Sequence, residues 1–414
     1  MTRSPLHLFE AFGVELEYMI VSRDTLSVLP ITDRVMYEIA GAYEAEVEQG
    51  DISWSNELAL HVIELKTTGP AASLEGLSGR FQENAARINT LLARFDARLM
   101  PTAMHPWMQP DLELKLWPHD YNAVYEAFDR IFDCRGHGWA NLQSVHLNLP
   151  FCGDEEFGRL HAAIRVVLPL LPALAASSPF VEGRPSAWCD ARLEMYRHNA
   201  REVPLVSGQV IPEPAWSREQ YSRLIFEPLY AAIAPHDPEG ILRQEWLNAR
   251  GAIARFDRST IEIRVLDVQE CPAADLAICR ATSAVLRGLV EQRWSSIEAQ
   301  QAMTTESLAA LLSQTIRDAD QAVVGDADYL RLFGLEQEAG LAAGELWRRL
   351  LKDCDLPAEK QADDEPLRIL LEEGPLARRI LRRTEGDYSH ETLARVYGEL
   401  CDCLEHGRML RADG

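Results

Sequence analysis

The sequence predicts an α+β protein in which strands and helices occupy the chain to about residue 300. Four stretches alternate polar and apolar residues as half-buried strands do, at residues 12–18, 56–66, 142–149 and 259–267. Helical spacing fills the intervals, and from about Gln300 onward only amphipathic helices and polar turns follow. We therefore predict one α+β domain over residues 1–300 and a helical region over residues 301–414 packed against it.

Composition limits the classes of partner and compartment. The 414 residues are 47% hydrophobic and 25% charged, as in a globular protein, with a net charge of −23. That charge argues against a nucleic-acid partner, because phosphate contacts need clustered Lys and Arg. No stretch reaches the ~18 uninterrupted apolar residues of a membrane helix, and no signal-peptide pattern opens the chain. We therefore expect no membrane partner. The eight cysteines have no metal-binding spacing, so we expect reduced thiols and a cytoplasmic protein.

The first strand places two carboxylates side by side. Alternation puts Glu15 and Glu17 on one face and Val14, Leu16 and Tyr18 on the other. Neighbouring carboxylates repel each other and resist burial, so folding alone seldom selects them. They are suited to holding Mg²⁺, and the alternative interpretation is a solvated strand face. A helix with the spacing of residues 32–45 follows.

The second strand, residues 56–66, carries Glu57 and Glu64 at positions of opposite parity. Either a bulge intervenes or only one of the two points into a site. Ser73 is the predicted N-cap of a long helix that reaches about Arg98. Residues 105–138 predict a long connection able to cover a site, with one helical piece near residues 121–132.

The third and fourth strands add further polar residues. On the third, Ser144, His146 and Asn148 share one face, and on the fourth, Glu262 and Arg264 do. Between them we predict a helix over residues 154–171 and a later helical stretch that carries Arg192. After them, Pro272 opens a long apolar helix. The alternatives are a surface ion pair for Glu262 with Arg264, a structural role for His146 and a solvated position for Arg192.

Together these side chains suggest a site with several cations bound through oxygen ligands and facing an anionic ligand. Zinc fits less well, because it favours His and Cys at short spacing. Mg²⁺ completes its shell with phosphate oxygens, so phosphoryl transfer from ATP is the chemistry that we predict. The usual glycine-rich phosphate loops are absent from the sequence. A metal-dependent hydrolase of amide or phosphate bonds could use the same carboxylates without ATP.

Five motifs in order resemble the glutamate–cysteine ligase type 2 family, whose catalytic fold is similar to that of glutamine synthetase. They lie at residues 12–17, 57–65, 143–148, 178–184 and 261–269. The resemblance spans about Phe12 to Arg293. It implies a curved antiparallel sheet backed by helices, with ATP and two or three Mg²⁺ on its concave face. It also implies an acyl phosphate made from a substrate carboxylate, often the γ-carboxylate of glutamate, and an amine such as cysteine that displaces phosphate.

The resemblance also implies roles for individual residues. The implied metal ligands are Glu15, Glu17, Glu64 and Glu262, with Glu57 as a further candidate. Arg264 would contact the transferring phosphate or a substrate carboxylate, as a planar cation that binds oxyanions through two nitrogens. His146, with Asn148 beside it on the same face, would lie at the nucleotide phosphates or a metal, and Arg192 would hold a substrate carboxylate. The expected partners are small amino-acid and amine substrates, and the resemblance is compatible with a homo-oligomer.

The chain departs from the family pattern at two motifs. Leu16 stands between Glu15 and Glu17 where many members have a third glutamate, and Asn141 with Leu142 replaces a small residue and a cysteine. These departures leave open a non-catalytic nucleotide-binding protein of the same fold. Residues 105–138 match little of the family pattern, so the identities of the acid and the amine stay open.

Overall fold

The structure is a computed structural model that describes residues 5–354 and 361–412. Within them, eight strands form one sheet, and two short hairpins lie apart from it. The strands, in chain order, are β1 (Gly13–Ser22), β2 (Glu46–Gln49), β3 (Ile52–Asn56), β4 (Val62–Thr67), β5 (Ala97–Met100), β6 (Ser144–Pro150), β7 (Phe180–Val181), β8 (Arg184–Pro185), β9 (Ala252–Arg255), β10 (Thr260–Asp267), β11 (Val323–Val324) and β12 (Leu341–Ala342).

The first strand is the centre of the sheet. The strand order is β2-β3-β4-β1-β6-β10-β9, and β5 pairs with the second half of β1. Every neighbouring pair is antiparallel. The predicted α+β class, with an antiparallel sheet backed by helices, is confirmed.

Helices account for most of the remaining chain. They are α1 (Thr32–Ala40), α2 (Leu77–Leu92), α3 (Pro110–Glu113), α4 (Asn122–Phe132), α5 (His137–Ala140), α6 (Gly153–Val167), α7 (Pro172–Ala175), α8 (Ala191–Tyr196), α9 (Arg218–Tyr221), α10 (Glu227–Ile233), α11 (Pro272–Val290), α12 (Ile297–Gln301), α13 (Thr305–Asp318), α14 (Ala327–Arg331), α15 (Ala343–Asp353), α16 (Gln361–Glu373), α17 (Leu376–Arg383) and α18 (His390–His406).

The apolar face of the sheet forms the main core. Val14, Leu16 and Tyr18 of β1 are fully buried, as are the alternating apolar residues of β6 and β10. Behind this face α11 packs against α2 and α6, and its own side chains are buried on nearly every turn. The helices therefore cover one face of the sheet, which leaves the opposite, polar face for a site.

The predicted second strand is wrong as a single element. β3 ends at Asn56, residues 57–61 form a connection, and β4 begins at Val62. Strands β2 and β3 were not predicted, and they turn the stretch into a meander. Because the chain leaves the sheet between Glu57 and Glu64, their parity says nothing about which way each points.

Two predicted helices are too long. The first ends at Ala40, where Gly41 takes a left-handed φ of 72° and caps it. The second ends at Leu92 and continues only as a 3₁₀ turn, after which Asp96 reverses the chain with a φ of 51°. Arg98 therefore lies on β5, which pairs with β1, and not on a helix.

The helices after residue 300 join the rest through shared contacts. Helix α16 packs on α11, α13 packs on α7, and α18 packs on both α2 and β5. The boundary at residue 300 stays a prediction, since the apolar residues on both sides belong to one core. None of the helices in the described part of the chain combines the length and apolarity needed to cross a bilayer.

Buried histidines make the fold sensitive to acid. His161 of α6 is fully buried and its Nδ1–H donates to the Ala215 carbonyl at 2.9 Å. Burial lowers its pKa to about 3, and burial likewise lowers the pKa values of His61 and His105 to about 4. A lowered pKa means that the unfolded chain takes up the proton first, below its ordinary pKa near 6.5. Stability is then complete above pH 6.5 and is lost as the pH falls toward 4.

Replacing His161 with glutamine is expected to remove its part of this pH dependence. Each such histidine costs about 2 kcal/mol of unfolding free energy between pH 6.5 and 5. Urea midpoints at the two pH values should therefore differ less in H161Q than in the wild type. The exposed His198 provides the control, because H198Q should keep the full difference. An H161Q protein with the wild-type slope would contradict the assignment.

Candidate functional site

The strand register brings the predicted polar residues onto one patch of the sheet. Glu17 of β1 lies opposite Glu64 of β4, while Glu15 lies opposite His146 of β6. On the far side of β6, Asn148 lies opposite Glu262 of β10. Antiparallel partners have neighbouring side chains on the same face, so four strands contribute to one polar surface.

Glu15 lies at the centre of a hydrogen-bonded group. Its Oε2 is 2.8 Å from His146 Nδ1, and its Oε1 accepts from Asn148 Nδ2 at 3.1 Å. Burial acts to raise the pKa of Glu15, but the hydrogen bond and charge of His146 outweigh it and bring the pKa to about 2. Burial acts to lower the pKa of His146, but Glu15 and Glu17 raise it to about 9. Without a bound cation, the pair is therefore an imidazolium beside a carboxylate at neutral pH, and a metal ion bound by His146 would displace the imidazolium proton.

Glu17 and Glu64 are held by neighbouring hydroxyl and amide groups. Glu17 Oε2 accepts from the Ser144 amide at 2.6 Å and from its hydroxyl at 3.0 Å. Glu64 Oε1 accepts from Ser55 Oγ at 2.7 Å and lies 3.4 Å from Lys66 Nζ. Burial and the charge of Glu15 nevertheless raise the pKa of Glu64 to about 7. The sheet thus fixes both carboxylates in place before any ligand binds.

Glu57 reaches the site from the connection between β3 and β4. One of its carboxylate oxygens lies within 4.8 Å of those of Glu17 and Glu64. Burial, with the charges of Glu64 and Glu17, raises its pKa well above the ordinary value. The expectation that a bulge intervenes or only one of Glu57 and Glu64 enters the site is wrong, because the chain leaves the sheet between them.

Two groups of side chains have the spacing of cation sites. Glu15, Glu64 and His146 form one, and Glu17, Glu57 and Glu64 form the other, each with ligand atoms within 4.8 Å. The second group is made of carboxylates alone, which suits a hard cation such as Mg²⁺. Burial, together with repulsion from neighbouring carboxylates, raises the pKa values of Glu57 and Glu64, and a divalent cation would relieve the repulsion. The donor set therefore fits Mg²⁺, with Glu64 shared between two positions.

A bulge in β10 directs Arg264. Ile263 pairs with Leu147 but Leu266 pairs with Val145, so β10 has one extra residue at this point. Arg264 Nε lies 3.0 Å from Glu262 Oε1, and the pKa of Arg264 is raised, against the effect of burial, by Tyr196 and by the neighbouring carboxylates. Arg255 of β9 approaches the other oxygen of Glu262 at 3.8 Å. Two arginines therefore flank the Glu262 carboxylate.

The same bulge moves Asp267 onto the polar side of the sheet. Strict alternation would place it with Ile261 and Ile263 on the apolar face, but in the structure it lies opposite Ser144. Its carboxylate accepts from the amide of Ser177 at 2.8 Å and forms a buried ion pair with Arg192 Nε. Arg192 is only 2% exposed, so the alternative of a solvated arginine is wrong.

A cavity of about 590 Å³ opens beside this patch. Its lining residues with charged or imidazole side chains are Glu17, Glu57, His146, Arg192 and Arg264. Glu15, Asn148 and Glu262 are not among its lining residues, so they face a neighbouring part of the sheet surface. His146 and Arg264 thus connect the two areas: both line the cavity, and they pair with Glu15 and Glu262 respectively.

The lining of the cavity also includes an apolar lobe. We define the lobe by six residues: Val124, Phe128, Trp139, Ile241, Trp246 and Leu247. They belong to a hydrophobic cluster separate from the main core. Helix α4, within the predicted long connection, supplies the first two, so that connection does cover the site.

Sequence reasoning missed several members of this site. Asp267 follows the β10 bulge, which local alternation did not predict, and Arg255 and Ser55 lie on strands that it did not identify. Lys66 could have been found, because it follows Glu64 by two residues on the same strand and must share its face.

The sequence matches one known protein family over most of its length. The sequence profile of the glutamate–cysteine ligase family 2 matches residues 11–399. A protein of Archaeoglobus fulgidus whose name gives no function is 32% identical over 403 residues, which cover 96% of this chain and 99% of that protein. A protein of Rubrobacter xylanophilus named as a candidate glutamate–cysteine ligase 2-3 is 28% identical over 280 residues, or 66% of this chain and 68% of that protein.

A solved structure has a similar fold. The glutamate–cysteine ligase of Francisella tularensis, in complex with AMP, superposes with a TM-score of 0.57 at 12% identity. The match covers 97% of this chain and 90% of that chain.

Proposed function

The chain belongs to the glutamate–cysteine ligase family 2, and from that premise we propose that it is an ATP- and Mg²⁺-dependent carboxylate–amine ligase. One observation carries the proposal: carboxylates from β1, β4 and β10 converge with His146 and Arg264 on one sheet face beside a cavity. Folding alone does not favour such a set of buried like charges. A reaction that brings cations and phosphates together would favour such a set of charges.

The proposed reaction has two steps. An oxygen of the substrate carboxylate attacks the γ-phosphorus of ATP, the bond to ADP breaks, and ADP leaves. The amine nitrogen then attacks the acyl carbon, the C–O bond to phosphate breaks, and phosphate departs with the bonding electrons. The surplus proton of the amine passes to water. Bound Mg²⁺ would neutralise the charge on the phosphoryl oxygens.

The residues of the chain supply binding and electrostatic stabilisation. Arg264, already oriented by Glu262, lines the cavity and would contact the transferring phosphoryl group. His146 and Asn148, which are hydrogen-bonded to Glu15, would contact the nucleotide phosphates. Arg192, held by Asp267, would bind a carboxylate of the substrate acid from the cavity side.

The family name makes glutamate the first acid to test and cysteine the first amine. ADP release should require Mg²⁺, an acid and an amine together. Hydroxylamine in place of the amine should trap the acyl phosphate as a hydroxamate, whatever the amine specificity. Both products should be lost in E15Q and kept in E155Q, in which an exposed glutamate of α6 is changed.

Other outcomes would favour different functions. Turnover of an amide or phosphate ester without nucleotide would support a metal-dependent hydrolase. ATP binding without ADP release or hydroxamate for any acid would support a non-catalytic nucleotide-binding protein. Either result would contradict the ligase proposal.

A further inference from the structure

We propose that the amine substrate is a primary amine that bears an aromatic or large apolar group and has no carboxylate of its own. This inference rests on the proposed ligase function and concerns the second substrate of the same site. It follows from the difference between the charged and the apolar parts of the cavity lining.

The apolar lobe presents an aromatic wall. The ring of Phe128 lies 5.2 Å from that of Trp139 and 6.0 Å from that of Trp246, both in tilted arrangements. The indole N–H of Trp139 already donates to the Asn199 carbonyl at 2.9 Å, so this ring offers the lobe a satisfied, apolar surface. Rings in such arrangements favour another aromatic group edge-on or offset, and an apolar group gains by leaving water.

The charges of the cavity leave no cation for a second amino-acid carboxylate. Among its described lining residues, the positive side chains are Arg192, Arg264 and His146. Arg192 is paired with Asp267 and Arg264 with Glu262. A substrate acid and a transferring phosphoryl group would engage what remains of both arginines. An amine with its own carboxylate would then add an anion beside buried acidic groups.

The size of the cavity points the same way. Its 590 Å³ falls within the range of sites that enclose drug-sized ligands, roughly 300–1,000 Å³. A small amine such as methylamine, or the short side chain of cysteine, would leave the lobe without a partner. Burial of a phenyl-sized group there should favour binding by about 30-fold. In the reaction, the nitrogen of this amine forms the C–N bond and phosphate leaves, as above.

The first test compares different amines with one acid. That acid is the one that forms a hydroxamate when glutamate and other acids are tested with hydroxylamine. Initial rates of ADP release with Mg²⁺ and ATP should give kcat/KM for phenethylamine about 30-fold above that for methylamine. L-Phenylalanine, which has the same ring and an added carboxylate, should fall well below phenethylamine, and so should L-cysteine. Equal or better turnover of L-cysteine or L-phenylalanine would overturn the inference.

A charge placed in the lobe provides the second test. Val124 lies on α4, is partly exposed and lines the lobe, so V124R adds a cation there with little demand on folding. It should lower kcat/KM for phenethylamine by about 30-fold and raise the ratio of the L-phenylalanine rate to the phenethylamine rate. The control is A123R, which adds the same charge to the same helix at an exposed position outside the lining. Equal effects of V124R and A123R would overturn the inference.

The two proposals can fail separately. Hydroxamate formation without any preference for the apolar amine would overturn the inference on the amine and leave the ligase in place. Absence of hydroxamate with every acid would instead contradict the ligase function itself.

Discussion

Replacing Arg264 with lysine is expected to lower kcat for ADP release by about 100-fold, and replacing it with alanine by about 1,000-fold. The Nε of Arg264 is 3.0 Å from Glu262 Oε1, which leaves the outer nitrogens of the guanidinium for phosphoryl oxygens. Lysine keeps the charge but has no planar pair of donors, so it cannot bind Glu262 and two phosphoryl oxygens in the same way. The loss should fall mainly on kcat, since these contacts strengthen as charge develops in the transition state.

The control is an arginine with similar pairing outside the site. Arg349 of α15 binds Glu338 at 2.7 Å and Glu345 at 3.2 Å, and R349K should have wild-type kcat. The KM for ATP in R264K should change less than kcat does. An R264K enzyme within threefold of the wild type would show that Arg264 serves only to position Glu262.

Local alternation was enough to predict the centre of the site. Glu15, Glu17, His146, Asn148 and Glu262 each lie on a strand that is regular at that position. The polar face of one strand then follows from period two alone, because successive side chains point to opposite faces. Antiparallel pairing placed these faces side by side, as the structure shows.

The prediction failed for Glu57 and Asp267, because irregular geometry sets the position of each. Glu57 lies in a connection that divides what appeared to be one strand, so its parity relative to Glu64 had no meaning. Asp267 reaches the polar side only because the β10 bulge adds a residue after Ile263. A bulge of this kind depends on pairing with β6, which is a property of two distant segments and not of either one.

The apolar lobe could not be predicted from local pattern for a different reason. Its residues come from α4, from the connection before β6 and from residues 241–247, and each segment alone looks like an ordinary buried patch. Only tertiary packing places them around one cavity. The identity of the second substrate is therefore a question that the strand motifs do not address.

The position of Arg192 shows how an apparently simple residue depends on these irregular elements. It lies on the short helix α8, beside Asp190, and its ion pair with Asp267 exists only because the bulge turned Asp267 inward. Asp190 caps the same helix, since its side chain accepts from the Leu193 amide at 2.8 Å. The guanidinium is thus fixed at the cavity wall by two acidic residues of separate elements.

Replacing Glu64 with glutamine is expected to lower activity by about three powers of ten, since it removes a ligand common to both candidate cation positions. E57Q removes a ligand from only one position, so its activity should lie between those of E64Q and the wild type. The Mg²⁺ concentration for half-maximal ADP release should rise by at least about 10-fold in E64Q. Glu46 provides the control, because it binds Lys66 at 2.8 Å, as Glu64 does at 3.4 Å, but belongs to neither group.

Stability should change in the opposite direction to activity in E64Q. Without a cation, Glu64 is a buried carboxylate among like charges, and glutamine can still accept the hydrogen bond from Ser55. In EDTA the Tm of E64Q should therefore equal or exceed that of the wild type, whereas added Mg²⁺ should raise the Tm of the wild type more than that of E64Q. A lower Tm in EDTA together with unchanged Mg²⁺ dependence would mean that Glu64 is a structural residue. The opposed changes are expected because a site that gathers carboxylates for cations is unfavourable to the fold until the cations bind.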